Sequence, residues 1–232
     1  MLLSLLVLAG CGDDGGGDDS CAAPVDPNFN NGSCGTNVQI TGELVDWDTD
    51  ETFCGINQAA ISIDGETSNT APNGRFILCG PDSPDSTLAV VLPTASSQCT
   101  ARPSTYSTPT LIYVTKETIK AGATISARSF TDERRLSFFY DVLGQQFDAT
   151  KAHVLVHVDG PAVAISIDKD HGPSASIAGT TWDTGDTGHE VFFPNVEIGN
   201  GRATVSVASG CATASAVPLV AGQITNVTIL TF

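Results

Sequence analysis

Positive charge is scarce in this 232-residue chain, in which 10 lysines and arginines stand against 26 aspartates and glutamates for a formal net charge of −16. Nucleic-acid binding and adsorption on anionic lipid both need clustered Lys or Arg, so the balance argues against both and makes a cation the expected charged partner. Only 16% of residues are charged, Met occurs once, and Lys and Gln are few, whereas Gly, Thr, Ser, Val and Ile are plentiful. Good helix formers are therefore thin and strand formers abundant, which predicts a mainly β fold. No Gly-x-Ser-x-Gly elbow, His-Glu-x-x-His helix, phosphate loop or dinucleotide fingerprint occurs, so none of these signatures supports catalysis. No cysteine pair has Cys-x-x-Cys spacing either, which weighs against a zinc ribbon and a thioredoxin-like motif.

What is present begins with Met1-Leu2-Leu3-Ser4-Leu5-Leu6-Val7-Leu8-Ala9-Gly10, followed by Cys11 and the polar stretch Gly12 to Ser20. The apolar segment is shorter than the roughly 20 residues that cross a bilayer, and it fits the hydrophobic region of a signal peptide, about 7–15 residues. Leu8-Ala9-Gly10-Cys11 resembles the lipobox of bacterial lipoproteins. That resemblance implies a signal peptide over residues 1–10, cleavage before Cys11, lipid on Cys11 and attachment to the bacterial cell envelope at the outer membrane. Stable anchoring takes at least two hydrophobic signals, so a multiply acylated Cys11 would not dissociate. Residues 11–36 combine Asp, Gly, Pro and Asn with hardly any large apolar side chain. They cannot bury enough surface to offset chain entropy, and an acidic, disordered tether of roughly 25–30 Å is expected.

With Cys11 set aside, Cys21, Cys34, Cys54, Cys79, Cys99 and Cys211 remain. An even number in an exported chain points to disulfides, and the spacing leaves the connectivity open among fifteen possibilities.

Past the tether, Val38 to Leu44, Ala59 to Asp64 and Thr87 to Leu92 alternate apolar and polar residues, with turn signals at Asp64-Gly65, Pro72-Asn73-Gly74 and Gly80-Pro81-Asp82. Short strands so spaced suggest an antiparallel sandwich. Ala60-Ile61-Ser62-Ile63-Asp64 recurs as Ala164-Ile165-Ser166-Ile167-Asp168, and Phe76, Leu88 and Val90 keep the same spacing as Phe193, Val205 and Val207. Each pentapeptide follows an alternating strand, Val38 to Leu44 in one half and His153 to Val158 in the other. Two copies of one β module explain the pattern most economically. Between them, Thr131 as cap, Asp132 and Glu133 in the first turn and Gly144 as stop predict one helix, with Leu136, Phe139, Tyr140 and Leu143 on its buried face.

These residues are similar to the carboxypeptidase regulatory-like, or transthyretin-like (prealbumin-like), β-sandwich modules. In the first copy the likeness rests on Ile40 to Asp46, Ala59 to Gly65 and Asn73 to Leu78. In the second it rests on Val163 to Ile167, Val191 to Val196 and Ala221 to Val227, with an insertion from Lys169 to Gly188. The resemblance implies two antiparallel sandwich modules, residues 37–127 and 148–232, joined by a helical connector over 128–147. Such modules are typically non-catalytic spacers, fold-assisting domains or binding modules on exported proteins, and fold alone supplies no ligand.

Three groups of side chains carry candidate chemistry. Asp46, Asp48 and Asp50 alternate around Trp47 as hard oxygen ligands suited to Ca²⁺, although Glu51 and Asn57 stand where an EF-hand needs Gly and Glu; the alternative is a solvated acidic turn. Trp47 and Trp182, both expected in loops, could stack on a glycan, which together with calcium would make an adhesion module for glycans or another surface protein. Asp168, Asp170, His171, Asp183, Asp186, His189 and Glu190 crowd the insertion, where a metal site or, more remotely, a hydrolytic His189–Glu190 pair would have to form. His153 and His157 lie roughly 13 Å apart on one strand face, too far to share an ion, and are expected to face solvent opposite Val154, Val156 and Val158.

Overall fold

The computed structural model describes residues 34–47, 55–81, 85–94, 105–177, 181–208 and 213–231. Cys11, Cys21, Cys54, Cys99, Cys211, Asp48 and Asp50 lie outside these, as do the signal segment and all of the tether before Cys34.

The first half forms β1 (Val38–Asp46), β2 (Ala60–Ile63), β3 (Glu66–Asn69), β4 (Arg75–Gly80), β5 (Ser86–Val91), β6 (Thr110–Val114), a short helix α1 (Lys116–Lys120) and β7 (Ile125–Ser129). The alternation seen in the sequence is structural: Val38, Ile40 and Leu44 are buried while Gln39, Thr41 and Glu43 are partly exposed, and Ser86, Leu88 and Val90 are buried against exposed Thr87, Ala89 and Val91. Asp64 and Gly65 both take positive φ (47° and 88°), the tight hairpin geometry that Asp-Gly favours, and set the β2–β3 register. Gly74 is obligatory for a second reason. At φ +79° a Cβ there would also sit 2.2 Å from the Leu44 carbonyl oxygen.

After β7 come α2 (Asp132–Ser137) and a π-helical turn, Phe138–Val142. Thr131 caps α2 by accepting from the Arg134 N–H, and Gly144 ends the segment at φ +60°, both as expected. The buried stripe differs from the expected one. Phe138, Phe139 and Leu143 are buried, whereas Leu136 and Tyr140 are 64% and 77% exposed. Leu136/Tyr140 and Phe138/Val142 are both i,i+4 pairs, so the sequence offers two stripes. The wide π turn and the aromatic side chains opposite select the second.

The second half supplies β8 (Ala152–Asp159), β9 (Val163–Ile167), β10 (Ala175–Ile177), β11 (Trp182–Thr184), β12 (Thr187–Gly188), β13 (Glu190–Val196), β14 (Arg202–Val207), β15 (Thr213–Pro218) and β16 (Ile224–Leu230). The insertion, expected as a loop, instead forms β10, β11 and β12, with β10 and β11 extending the sheet beyond β13.

The two halves pair their strands in the same way. β4-β1-β7 and β13-β8-β16 each set an antiparallel neighbour on one side of the first strand and a parallel one on the other. β6-β5-β2-β3 and β15-β14-β9-β12 are the matching antiparallel runs. The repeated pentapeptides occupy corresponding registers, Ile61 opposite Val90 and Ile165 opposite Val207. One apolar core lies within each half, around Leu44, Ile61, Phe76 and Leu88 in the first and Val154, Val156, Phe193 and Val205 in the second.

Two features depart from separate antiparallel sandwiches. β1·β7, β8·β16 and β6·β16 are parallel, because the last strand of each half returns in the direction of the strand it joins. The halves also share a nine-stranded sheet, β11-β10-β13-β8-β16-β6-β5-β2-β3. β16 makes that junction with its backbone against β6, and it closes the neighbouring edge with side chains. The Asn226 amide accepts from the Arg128 N–H (2.8 Å) and donates to the Arg128 carbonyl (3.2 Å), while Thr228 Oγ1 bridges the N–H and carbonyl of Ser126. Asn226 thus imitates a backbone peptide against the edge of β7, satisfying groups that would otherwise be buried unpaired.

Candidate functional site

The outer face of β8, β13 and β16 carries a third cluster, in which Leu155, Phe192 and Ile224 meet Trp47, Phe130, Phe138, Phe139, Leu143 and Ala175. Trp47, at the end of β1, is 1% exposed. Its ring stacks on Phe130 (centroids 3.6 Å, 21°) and on Trp182 (5.2 Å, 14°), with Phe138 and Phe192 edge-on. Trp182 is half-buried in β11. The two tryptophans expected in loops therefore meet each other at the joint between the halves, in packing that uses the faces of Trp47.

Asp46, beside Trp47, is buried as well. Its Oδ1 accepts from the Trp47 N–H (2.7 Å) and its Oδ2 from the Tyr106 hydroxyl (2.9 Å), so both oxygens serve the fold. Just before the insertion Asp168 accepts from the Thr204 N–H, and within it Asp186 accepts from the Thr187 hydroxyl and His171 Nδ1 donates to the Gly172 carbonyl. Among the described residues no group of three His, Cys, Asp or Glu side chains gathers to hold a metal. Cys34 and Cys79 form a disulfide that ties the start of β1 to the end of β4.

His189 and Glu190 do not converge. His189 Nδ1 donates to the Gly160 carbonyl at the surface (3.1 Å), while Glu190 points inward and meets Arg128 Nε at 2.6 Å. His157 donates to the other Glu190 oxygen at 3.3 Å, and Arg128 Nη1 donates to the Trp47 carbonyl. Burial alone would raise the Glu190 pKa; the His157 hydrogen bond and the Arg128 charge outweigh it and hold the carboxyl below its ordinary range. This buried network links β7 of the first half to β8 and β13 of the second. Sequence reading missed it because Arg128 and Glu190 are 62 residues apart and no local motif marks the pair.

The histidines of β8 differ from expectation. His157 is partly buried against Glu190, and His153 is 0% exposed, because the face opposite Val154 and Val156 is covered by the π-helical segment rather than by water. His153 stacks on Phe147 (4.3 Å) and meets the edge of Phe139 (5.5 Å). Its Nδ1 accepts from the Asn195 N–H (3.1 Å), which assigns the proton to Nε2. Burial lowers its pKa to about 4 against the opposing pull of the Asp148 carbonyl and carboxylate. Asn195, at φ +52° in the irregular stretch of β13, also bonds Gln145, the Gln146 carbonyl and the Asp148 N–H, fixing the chain between the π turn and β8.

Above His153 that fixed chain bounds a groove of about 460 Å³, lined by Arg135, Leu136, Phe139, Tyr140, Gln145, Gln146 and Phe147. The Arg135 guanidinium lies 4.7 Å from the Phe147 ring centre and is held by Thr108 Oγ1 (2.7 Å) and Asp132 (3.7 Å).

No family profile matches the chain, and no curated protein matches it. Among solved structures, the Bacillus anthracis TIE protein aligns with 83% of this chain at 10% identity and a TM-score of 0.23. The chain spans 34% of that protein's length.

Proposed function

We propose that this chain is a lipid-anchored, non-catalytic protein of the bacterial cell envelope, in which two carboxypeptidase regulatory-like β-sandwich repeats serve as a spacer or binding module. The observation that carries the reading is the strand-for-strand agreement between β4-β1-β7 with β6-β5-β2-β3 and β13-β8-β16 with β15-β14-β9-β12. It is the arrangement expected of one module used twice, and it gives the repeated pentapeptides a common structural position. The engagement of Glu190 by Arg128 supports the non-catalytic part, since a carboxylate held as the partner of a buried guanidinium is a poor proton acceptor.

The address rests on Leu8-Ala9-Gly10-Cys11 and is tested by fractionating cells that express the wild type or Cys11→Ala, with labelled palmitate supplied during growth. The wild type is expected in the membrane fraction with label, and the variant unlabelled and released by high salt. Equal membrane retention of the two would refute lipid anchoring through Cys11.

A further inference from the structure

The groove beside the π-helical turn brings exposed ring surface and amide groups together. π-helical turns are rare and occur frequently at functional sites, because the wide turn costs backbone hydrogen-bond quality and lasts where something else favours it. Here the turn presents Tyr140 77% exposed, with Leu136, 64% exposed, one helical turn before it. Phe147 and the Arg135 guanidinium stacked on it line the same groove. Gln145 is fixed by Asn195 and the Pro173 carbonyl, whereas the Gln146 side chain is exposed.

Charge narrows the ligand. The chain has 26 carboxylates, yet none lines the groove, and the one cation there, Arg135, is already matched by Asp132. Such a lining suits a neutral molecule; it offers no ligand set for a metal and no counter-charge for a cationic partner. On its helical side the groove offers no strand edge for an extended peptide to pair with, and on the other side the Gln146 carbonyl is already taken by Asn195. Ring faces and side-chain amides are then the main groups the groove offers. A sugar ring meets that description, with an apolar C–H face for Tyr140 and hydroxyls that both donate to and accept from an amide such as Gln146.

We infer that the groove formed by Tyr140, Leu136, Phe147 and Gln146 binds a neutral oligosaccharide. This deepens the binding-module reading and rests on it, and it needs no calcium.

The test uses the full-length chain carrying Cys11→Ala, applied with EDTA to a printed array of neutral and acidic oligosaccharides together with proline-rich peptides. Binding to at least one neutral oligosaccharide is expected, weakened about tenfold by Tyr140→Ala and retained by Tyr140→Phe, since a lost ring contact and its buried area are worth roughly that factor. Tyr140 is exposed, so the melting temperature should not move and weakened binding would report the contact rather than the fold. No saccharide bound, saccharide binding indifferent to Tyr140→Ala, binding of acidic saccharides alone, or peptide binding abolished by Tyr140→Ala would each overturn the inference. Anchoring is read separately in the fractionation experiment, so failure here leaves the lipoprotein reading standing or falling on its own result.

Discussion

His153 makes the fold sensitive to mild acid. Folded, it is held neutral with a pKa near 4, whereas the ordinary value is 6.5. The unfolded chain therefore takes up a proton at this residue as pH falls below its ordinary value, while the folded chain does not. Stability is complete above that range, falls as pH drops and levels off once the folded pKa is passed. Linkage puts the loss at about 2 kcal/mol between pH ~7 and ~5, and about 3 kcal/mol by pH ~4. The upper part of the window isolates the histidine, because Glu190, whose pKa is depressed, loses its stabilising charge only as pH falls through the range below its ordinary 4.5. Urea denaturation at three pH values in that upper window, on the wild type and His153→Gln, measures the effect. The glutamine keeps an acceptor for the Asn195 N–H without a titrating ring, so its stability is expected to be nearly flat where the wild type declines. Parallel declines in the two proteins would refute the assignment of acid sensitivity to His153.

Three further outcomes follow from the joint and the staple. Glu190→Gln or Arg128→Met, each removing one charge of this buried pair, should cost about 3–5 kcal/mol in urea unfolding, and the double variant less than the sum of the two; additivity would contradict direct pairing. Replacing Cys34 and Cys79 by Ala opens a crosslink spanning 45 residues and should cost about 4 kcal/mol by the loop-entropy relation, checked by thermal unfolding with and without reductant. Both tryptophans of the chain lie in the joint, so tryptophan fluorescence and far-ultraviolet circular dichroism should give one coincident unfolding transition; separated midpoints would mean that the halves unfold independently.

Strands were legible in the sequence wherever one face is wet. Val38 to Leu44 and Ser86 to Val91 alternate because water covers one side, and the Asp64-Gly65 turn announces itself through two residues that tolerate positive φ. His153 shows where that logic stops. Alternation along β8 assigned its Val154–Val158 face to a core correctly, but it could not register that the opposite face is covered too, since Phe138 and Phe139 come from a helical segment whose stripe is itself ambiguous and Phe147 from the irregular chain after it. Trp47 follows β1 in a bend, outside any strand, but its burial was not legible because its partners Phe130 and Trp182 are distant in sequence. The Arg128–Glu190 pair carries no periodic signal at all, because an isolated buried charge is defined only by the element that meets it.

The joint itself bears on whether the two similarly paired halves can act separately. Taken alone, the first half would leave β6 and β7 with unpaired edges, and an open edge invites pairing with another chain. β16 answers both at once, with its backbone along β6 and its Asn226 and Thr228 side chains along β7. In the second half the position corresponding to β6 is taken by β15, whose Ser215 carbonyl accepts from the Tyr113 hydroxyl of β6. Burial of the Tyr113 ring and the nearby Asp85 carboxylate raise its pKa, which keeps that hydroxyl a donor at any ordinary pH. With the aromatic cluster and the Arg128–Glu190 pair crossing the same boundary, separating the halves would expose two strand edges, a buried ion pair and the largest rings of the chain together. Such a separation would break several buried contacts at once, so the two halves are expected to unfold together rather than one after the other.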